Sequence, residues 1–175
     1  MRKSTDLEHA AVKDVVEFMA AAARTAPKTC GLDNIEMIVI DLPTERDKLT
    51  QKMRELSKNL EKPSMARDAD SIKDSSQVLV IGVKSSPPGL SCNFCGYDAC
   101  AALVKAGGVC AYNSIDLGIA VGSATSIAAD FRVDNRVMYS IGKAAMELGL
   151  LGKDVKQALG IPLSVTGKSP FFDRK

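Results

Sequence analysis

Four of the chain's five cysteines fall in one run, Cys92-x2-Cys95-x4-Cys100-x9-Cys110, and only Cys30 lies elsewhere. A stretch that aims several sulfurs at one point has to turn tightly, and thiolates presented that way bind soft metals. Gly89 precedes the run, Gly96 follows Cys95, and Gly107–Gly108 precede Cys110. Glycine lets backbone N–H groups approach sulfur closely, and hydrogen bonds to sulfur tune the potential of a cluster.

Three fillings suit such a run. Disulfides belong to oxidising compartments. The first residues, MRKSTDLEHAAVKDVVEF, are charged and lack the apolar core of a signal peptide. The Ile115–Ala129 run is too short for a membrane span and is interrupted by Ser and Thr. A reducing, cytoplasmic setting with no membrane contact is therefore expected. Zinc uses cysteines in two knuckles with a sizeable spacer, whereas this chain has one knuckle, a cysteine on an expected helix and a fourth beyond it. Zinc shares the ligand count and stays as the alternative occupant. An iron–sulfur cluster is the preferred filling, with the spacing reversed relative to the plant-type C-x4-C-x2-C order.

The chain has 175 residues, 46% hydrophobic and 25% charged, which fits one soluble domain over 1–175 with a cysteine-rich metal-binding loop over 84–112. A net charge of +2, 5% aromatic content and no tryptophan leave no basic patch or stacking ladder for nucleic acid.

Leu7, Ala11, Val15, Phe18, Met19 and Ala22 recur at helical spacing, so a helix is expected over Leu7–Arg24, capped by Ser4, Thr5 or Asp6 and ended near Pro27. Ile35–Ile40 and Gln77–Val83 read as strands. Between them Thr44 caps a helix over Glu45–Leu60, stopped by Pro63. Asn113 or Ser114 caps a helix to Ala129, and another is expected over Arg136–Leu148, with Gly149 closing it. A short helix over Asp154–Leu159 and a strand over Ile161–Val165 complete the chain. Without clean βαβ alternation, the class is α+β.

Gly118, Gly122 and Ser126 fall on one helix face, continued by Asp130. Glycine in a helix costs about 1 kcal/mol relative to alanine, so close packing of another helix, within the chain or across a dimer, is expected to offset it. A flat cofactor against the stripe is the alternative. In the segment Asp130-Phe131-Arg132-Val133-Asp134-Asn135-Arg136, two carboxylates and two guanidiniums are expected to pair, with Asp134 or Asn135 capping the next helix. The functional alternative is an anion site at Arg132 and Arg136. Gly167-Lys168-Ser169 is not a P-loop, because Pro162 stands where its first glycine belongs and Pro170 blocks the following helix. His9 reads as a solvated helix residue, and Cys30 as a loose thiol with a redox partner or further ligand as the alternative.

Two resemblances add to this. The string CNFCGYDACAALVKAGGVC resembles the C-x2-C-G-x3-C module of corrinoid iron–sulfur proteins and Rnf-type electron-transfer subunits, which implies a [4Fe-4S] cluster on Cys92, Cys95, Cys100 and Cys110. With AAARTAPKTCGLDNIE, DLGIAVGSATSIAADFRVDNRVMYSIGKAA and LGIPLSVTGKSPFFD, it resembles a prokaryotic family described as containing a ferredoxin domain. The order of elements is also similar to flavin-dependent nitroreductases, which implies a nitroreductase-like mixed sheet flanked by helices, an intertwined homodimer, and FMN at the subunit interface. The candidate cofactor-binding residues are Arg24 and Thr25 in A-A-R-T-A-P, Gly118 and Gly122 on the small-residue stripe, and Arg132 and Arg136 of the charged segment. The nitroreductases' Arg-rich start has no counterpart, and Ala26-Pro27-Lys28-Thr29-Cys30-Gly31 lacks the serine and asparagine of their flavin segment. The function expected is a redox protein passing electrons from its cluster to a partner protein. The alternatives are a flavin-dependent oxidoreductase and a structural zinc protein.

Overall fold

In a computed structural model, residues 1–73 and 75–172 are described; Asp173, the last residue of the segment LGIPLSVTGKSPFFD, lies outside them. The chain runs α1 (Ser4–Thr25), β1 (Ile35–Ile40), α2 (Pro43–Asn59), α3 (Pro63–Ile72), β2 (Gln77–Lys84), α4 (Cys100–Lys105), α5 (Ala111–Asp130), β3 (Asp134–Asn135), α6 (Tyr139–Glu147) and β4 (Val155–Ser164). Every residue from Gln77 to Val83 is buried, as a strand covered on both faces must be. The sheet order is β1-β2-β4-β3.

Period-two alternation along β2 divides two cores. Leu79, Ile81 and Val83 join Ile161 and Leu163 of β4 beneath α1 and α5. Val78 and Val80 face the other way, against α2, α3 and α6. The architecture is α+β, with helices on both faces of a four-stranded sheet. Where the nitroreductase resemblance implied a mixed sheet, the described pairings are all antiparallel. Between β1 and β2 the chain leaves along α2 and returns along α3, so it re-enters the sheet at the end it left.

The strand at Ile35–Ile40 forms with the expected bounds. Four other expectations are corrected. Pro63 does not merely stop a helix; it opens α3 at a first-turn position, where proline's missing N–H costs nothing. The short helix over Asp154–Leu159 is instead the first half of β4, whose residues pair from Val155↔Lys84 to Leu163↔Gln77. Cross-strand pairing with a fully buried neighbour overrides local helix propensity there. Asp134 and Asn135 do not cap a helix; they form β3 against Leu163 and Ser164, which delays α6 to Tyr139. At α1 the cap is Lys3, whose backbone N–H donates to the Asp6 carboxylate at 2.9 Å.

Two glycines let α6 lie directly on β4. A Cβ at Gly142 would fall 1.8 Å from the Ala158 carbonyl oxygen, and one at Gly160 would fall 2.0 Å from Ile141 Cγ2.

Candidate functional site

The segment between β2 and α4 carries two of the clustered cysteines, and the helices that follow carry the rest. Cys92 and Cys95 lie in the loop, Cys100 is the first residue of α4, and Cys110 stands immediately before α5. The loop turns through left-handed residues: Ser91 (φ 47°) and Asn93 (φ 63°) flank Cys92, and Gly96 (φ 80°) follows Cys95. A non-glycine residue in that region costs roughly 1–2 kcal/mol, so the turn is built against a local preference.

All four cysteines line one recess, together with Leu90, Phe94, Tyr97 and Tyr112. Cys92 is exposed, Cys95 and Cys100 are half-buried, and Cys110 is buried. The Ser91 N–H donates to Cys100 Sγ at 3.4 Å. Phe94 and Tyr112 stack at the rim, with ring centroids 5.5 Å apart and planes 13° from parallel. All five cysteines are free thiols. The donor set is uniform, because no imidazole or carboxylate lines the recess. Four sulfurs without an imidazole or carboxylate beside them suit a soft thiophilic centre.

The free volume of the recess is only about 10 Å³. Among the described residues no three His, Cys, Asp or Glu side chains converge on one metal position. Chemically the residues fit a thiolate-bound group. The 85–99 segment that carries Cys92 and Cys95 holds no helix or strand.

The first turns of α5 anchor this region. Asn113, 1% exposed, accepts the Ser86 N–H at 3.0 Å and donates to the Ser86 carbonyl at 3.1 Å. Asp116, 2% exposed, accepts both the Thr29 N–H (3.0 Å) and the Thr29 hydroxyl (2.9 Å) through Oδ1. One helix end therefore holds the loop leading into Cys92 and the turn carrying Cys30. The expected caps of α5 are corrected: Cys110 takes the capping position, and the Asn113 side chain bonds to Ser86 instead. No side-chain hydrogen bond caps α5, and its N-terminus follows directly on Cys110.

The other expected site residues lie in separate surroundings. Arg24 donates to Asp33 at 2.6 Å and to the Ile35 carbonyl at 2.8 Å. Burial pushes the Asp33 carboxyl up, but the Arg24 hydrogen bond, the Ile35 N–H and the Arg24 charge outweigh it and hold the carboxyl below its ordinary value. Thr25 bonds back to the Ala21 carbonyl. Arg132 sits at φ 60° directly after Phe131, which stacks on Phe18 at 5.9 Å. Arg136 donates to the Phe171 carbonyl at 3.0 Å and covers the Phe172 ring. The expected pairing among Asp130, Arg132, Asp134 and Arg136 gives way to these contacts, because β3 turns the segment toward the C-terminal residues. Cys30 is exposed at φ 56°. A Cβ added at Gly118 or Gly122 would meet nothing within 4 Å, so among the described residues no helix packs on these two glycines.

Sequence reasoning missed the two anchors, Asn113 and Asp116. Both are polar residues near a helix start, which in sequence look like caps.

Comparison with known proteins agrees with this architecture. Residues 106–174 match the family described as "Uncharacterized protein containing a ferredoxin domain"; the match includes Cys110 and leaves Cys92, Cys95 and Cys100 outside it. An uncharacterized protein of Archaeoglobus fulgidus is 42% identical over 178 residues, covering 97% of this chain and 95% of its own. Among solved structures, a nitroreductase with bound FMN from Desulfitobacterium hafniense DCB-2 superposes with a TM-score of 0.64 at 13% identity, over 96% of this chain and 80% of that one. A BluB-like flavoprotein from Clostridium difficile 630 gives 0.61 at 17% identity, over 93% and 82%. At such identities the likeness is one of fold. The chain belongs to the family of uncharacterized proteins containing a ferredoxin domain, and it has the nitroreductase-like fold.

Proposed function

We propose that this protein is an iron–sulfur electron-transfer protein whose [4Fe-4S] cluster is held by Cys92, Cys95, Cys100 and Cys110. The carrying observation is that four thiols from the loop, α4 and the residue before α5 line one recess with no imidazole or carboxylate among its lining residues. The family description adds support. A bound cluster would supply one-electron chemistry. The chain's own part is to hold the thiols, to set a helix N-terminus beside them, and to shield them with the Phe94–Tyr112 pair. Thiolate sites of this kind persist in a reducing, cytoplasmic setting. Zinc remains the competing occupant of the same sulfurs.

We also propose that two copies associate through α5, with a redox partner protein approaching elsewhere. The stripe of Gly118 and Gly122 is uncovered, and Ile115 and Ile119 beside it are 44% and 38% exposed. A second reading, in which FMN takes up the cluster's electrons, is favoured by one observation: a protein of the same fold is described with bound FMN.

The test is anaerobic reconstitution with iron and sulfide of wild type and Cys95→Ser. Broad visible absorbance in wild type, lost or strongly reduced in the variant, is expected. Equal absorbance in both proteins would sink the ligand assignment, and flavin retained through purification would promote the second reading.

A further inference from the structure

Strand β1 stands at the end of the sheet and pairs with β2 alone. The Lys84 N–H donates to the Asn34 carbonyl at 2.9 Å, which sets the alternation along the pair. Asn34, Glu36, Ile38 and Ile40 therefore turn their backbone groups to β2, while Ile35, Met37 and Val39 turn theirs outward. Ile35 agrees with this: its N–H donates to the Asp33 carboxylate at 3.2 Å, and its carbonyl accepts from Arg24 at 2.8 Å. Side chains thus close one end of the edge. Met37 and Val39 are left with two N–H and two C=O groups that have no partner among the described residues.

The side chains repeat the pattern. Met37 and Val39 on one face and Ile38 on the other all stay only partly buried, as in a sheet that stops one strand short. Native sheets blunt an open edge with lysine, proline or a bulge, and β1 has none of these; its single charge, Glu36, is taken up by Lys84 of β2. Beside the edge runs a groove of about 450 Å³, lined by Ile38, Ile40, Leu148 and Leu150, with Glu45 and Lys48 of α2 in its wall.

We propose that β1 pairs antiparallel with β1 of a second copy, about a two-fold axis at Ile38. In that register Met37 lies opposite Val39 of the second copy, and each such pair exchanges two hydrogen bonds, so every free group of both edges is used. Ile38 lies opposite Ile38 on the α2 side of the sheet, where the groove receives the added side chain. Glu45 and Lys48 are exposed, opposite in charge and without an ion pair among the described residues, so the two-fold can set each against the other's counterpart. The edge is its own complement, as an isologous contact requires. It is separate from α5 and from the cysteine recess, and it depends on neither.

The test is sedimentation of the full chain from micromolar concentration to about 1 mM, because so small a contact associates weakly. Wild type should double its mass once more toward the top of that range, and Met37→Pro should not. Proline is tolerated on an edge strand where its N–H would face solvent, so this variant keeps its β1–β2 bonds and an unchanged circular dichroism spectrum. Ile38→Cys supplies a second reading. On the axis the two Cα atoms of a non-hydrogen-bonded pair stand about 4.5 Å apart, within reach of a disulfide. Mild oxidation should join position 38 to position 38, located by mass spectrometry, whereas Glu36→Cys should not join to itself. A doubling retained at full strength in Met37→Pro, or Ile38→Cys joined only to native cysteines, would overturn the proposal. So would a mass that never doubles again, which would leave the edge to a strand of another protein.

Discussion

Asn113 and Ser86 are joined in both directions: the Ser86 N–H donates to Asn113 Oδ1 at 3.0 Å, and Asn113 Nδ2 donates to the Ser86 carbonyl at 3.1 Å. A side-chain amide thereby completes the backbone of the loop that leads into Cys92, from a helix that starts directly after Cys110. The two ends of the cysteine run are tied together by one residue that is not a cysteine.

Replacing Asn113 with Leu removes both bonds and strands two backbone groups against an apolar side chain. A loss of about 2–3 kcal/mol is expected, measured as a lower urea midpoint at unchanged slope. The thiols should also react faster with a bulky thiol reagent in the native protein. If thiol reactivity stays at the wild-type level, the clasp does not hold the cysteine loop.

Glycine substitutions should separate by position. Gly142→Ala drives a methyl into the Ala158 carbonyl, which is backbone and cannot rotate away, so a loss above about 2 kcal/mol is expected. Gly118→Ala meets open space on a helix and should stabilise the isolated chain by up to about 1 kcal/mol. Thermal melts of the two variants check this directly.

The same stripe tests association. If two copies pack through α5, Gly122→Leu should lower the dimer fraction in sedimentation analysis at micromolar concentration while leaving the monomer folded. A monomeric wild type would remove the proposed interface.

Acid sensitivity should involve Asp33. Its folded-state carboxyl is held below the ordinary value of 3.8, so its contribution is present above the unfolded value and is lost as pH falls through the folded one. Both partners are more than a third exposed, at 45% and 38%, so screening limits the effect to roughly 0–1 kcal/mol. Asp33→Asn should therefore be slightly less stable than wild type at pH 6 and indistinguishable near pH 2. A gap that widens on acidification would contradict the direction of the shift.

Local chemistry made much of the fold readable. Alternating β-branched residues mark Ile35–Ile40, and an unbroken apolar run marks the buried centre at Gln77–Val83. The differences arise where long-range pairing decides. Val155–Ala158 carries no strong strand signal and becomes a strand because β2 pairs along it. Pro63 looks the same as a helix stop or a helix start until the following residues Met65, Ala69 and Ile72 are seen to be buried on one face. At the site, the cysteine spacing pointed to one recess, which needs only local turns. The Asn113 and Asp116 anchors join residues 27 and 87 positions apart and left no local pattern to read.

The most direct measurement is iron, acid-labile sulfide, zinc and flavin content, with an absorption spectrum, on protein purified without air. The account predicts brown protein with iron and sulfide in near-equal amounts, at the ratio of a [4Fe-4S] cluster. A colourless protein that holds zinc and stays inert to iron and sulfide would make the four cysteines a structural site and contradict the electron-transfer function.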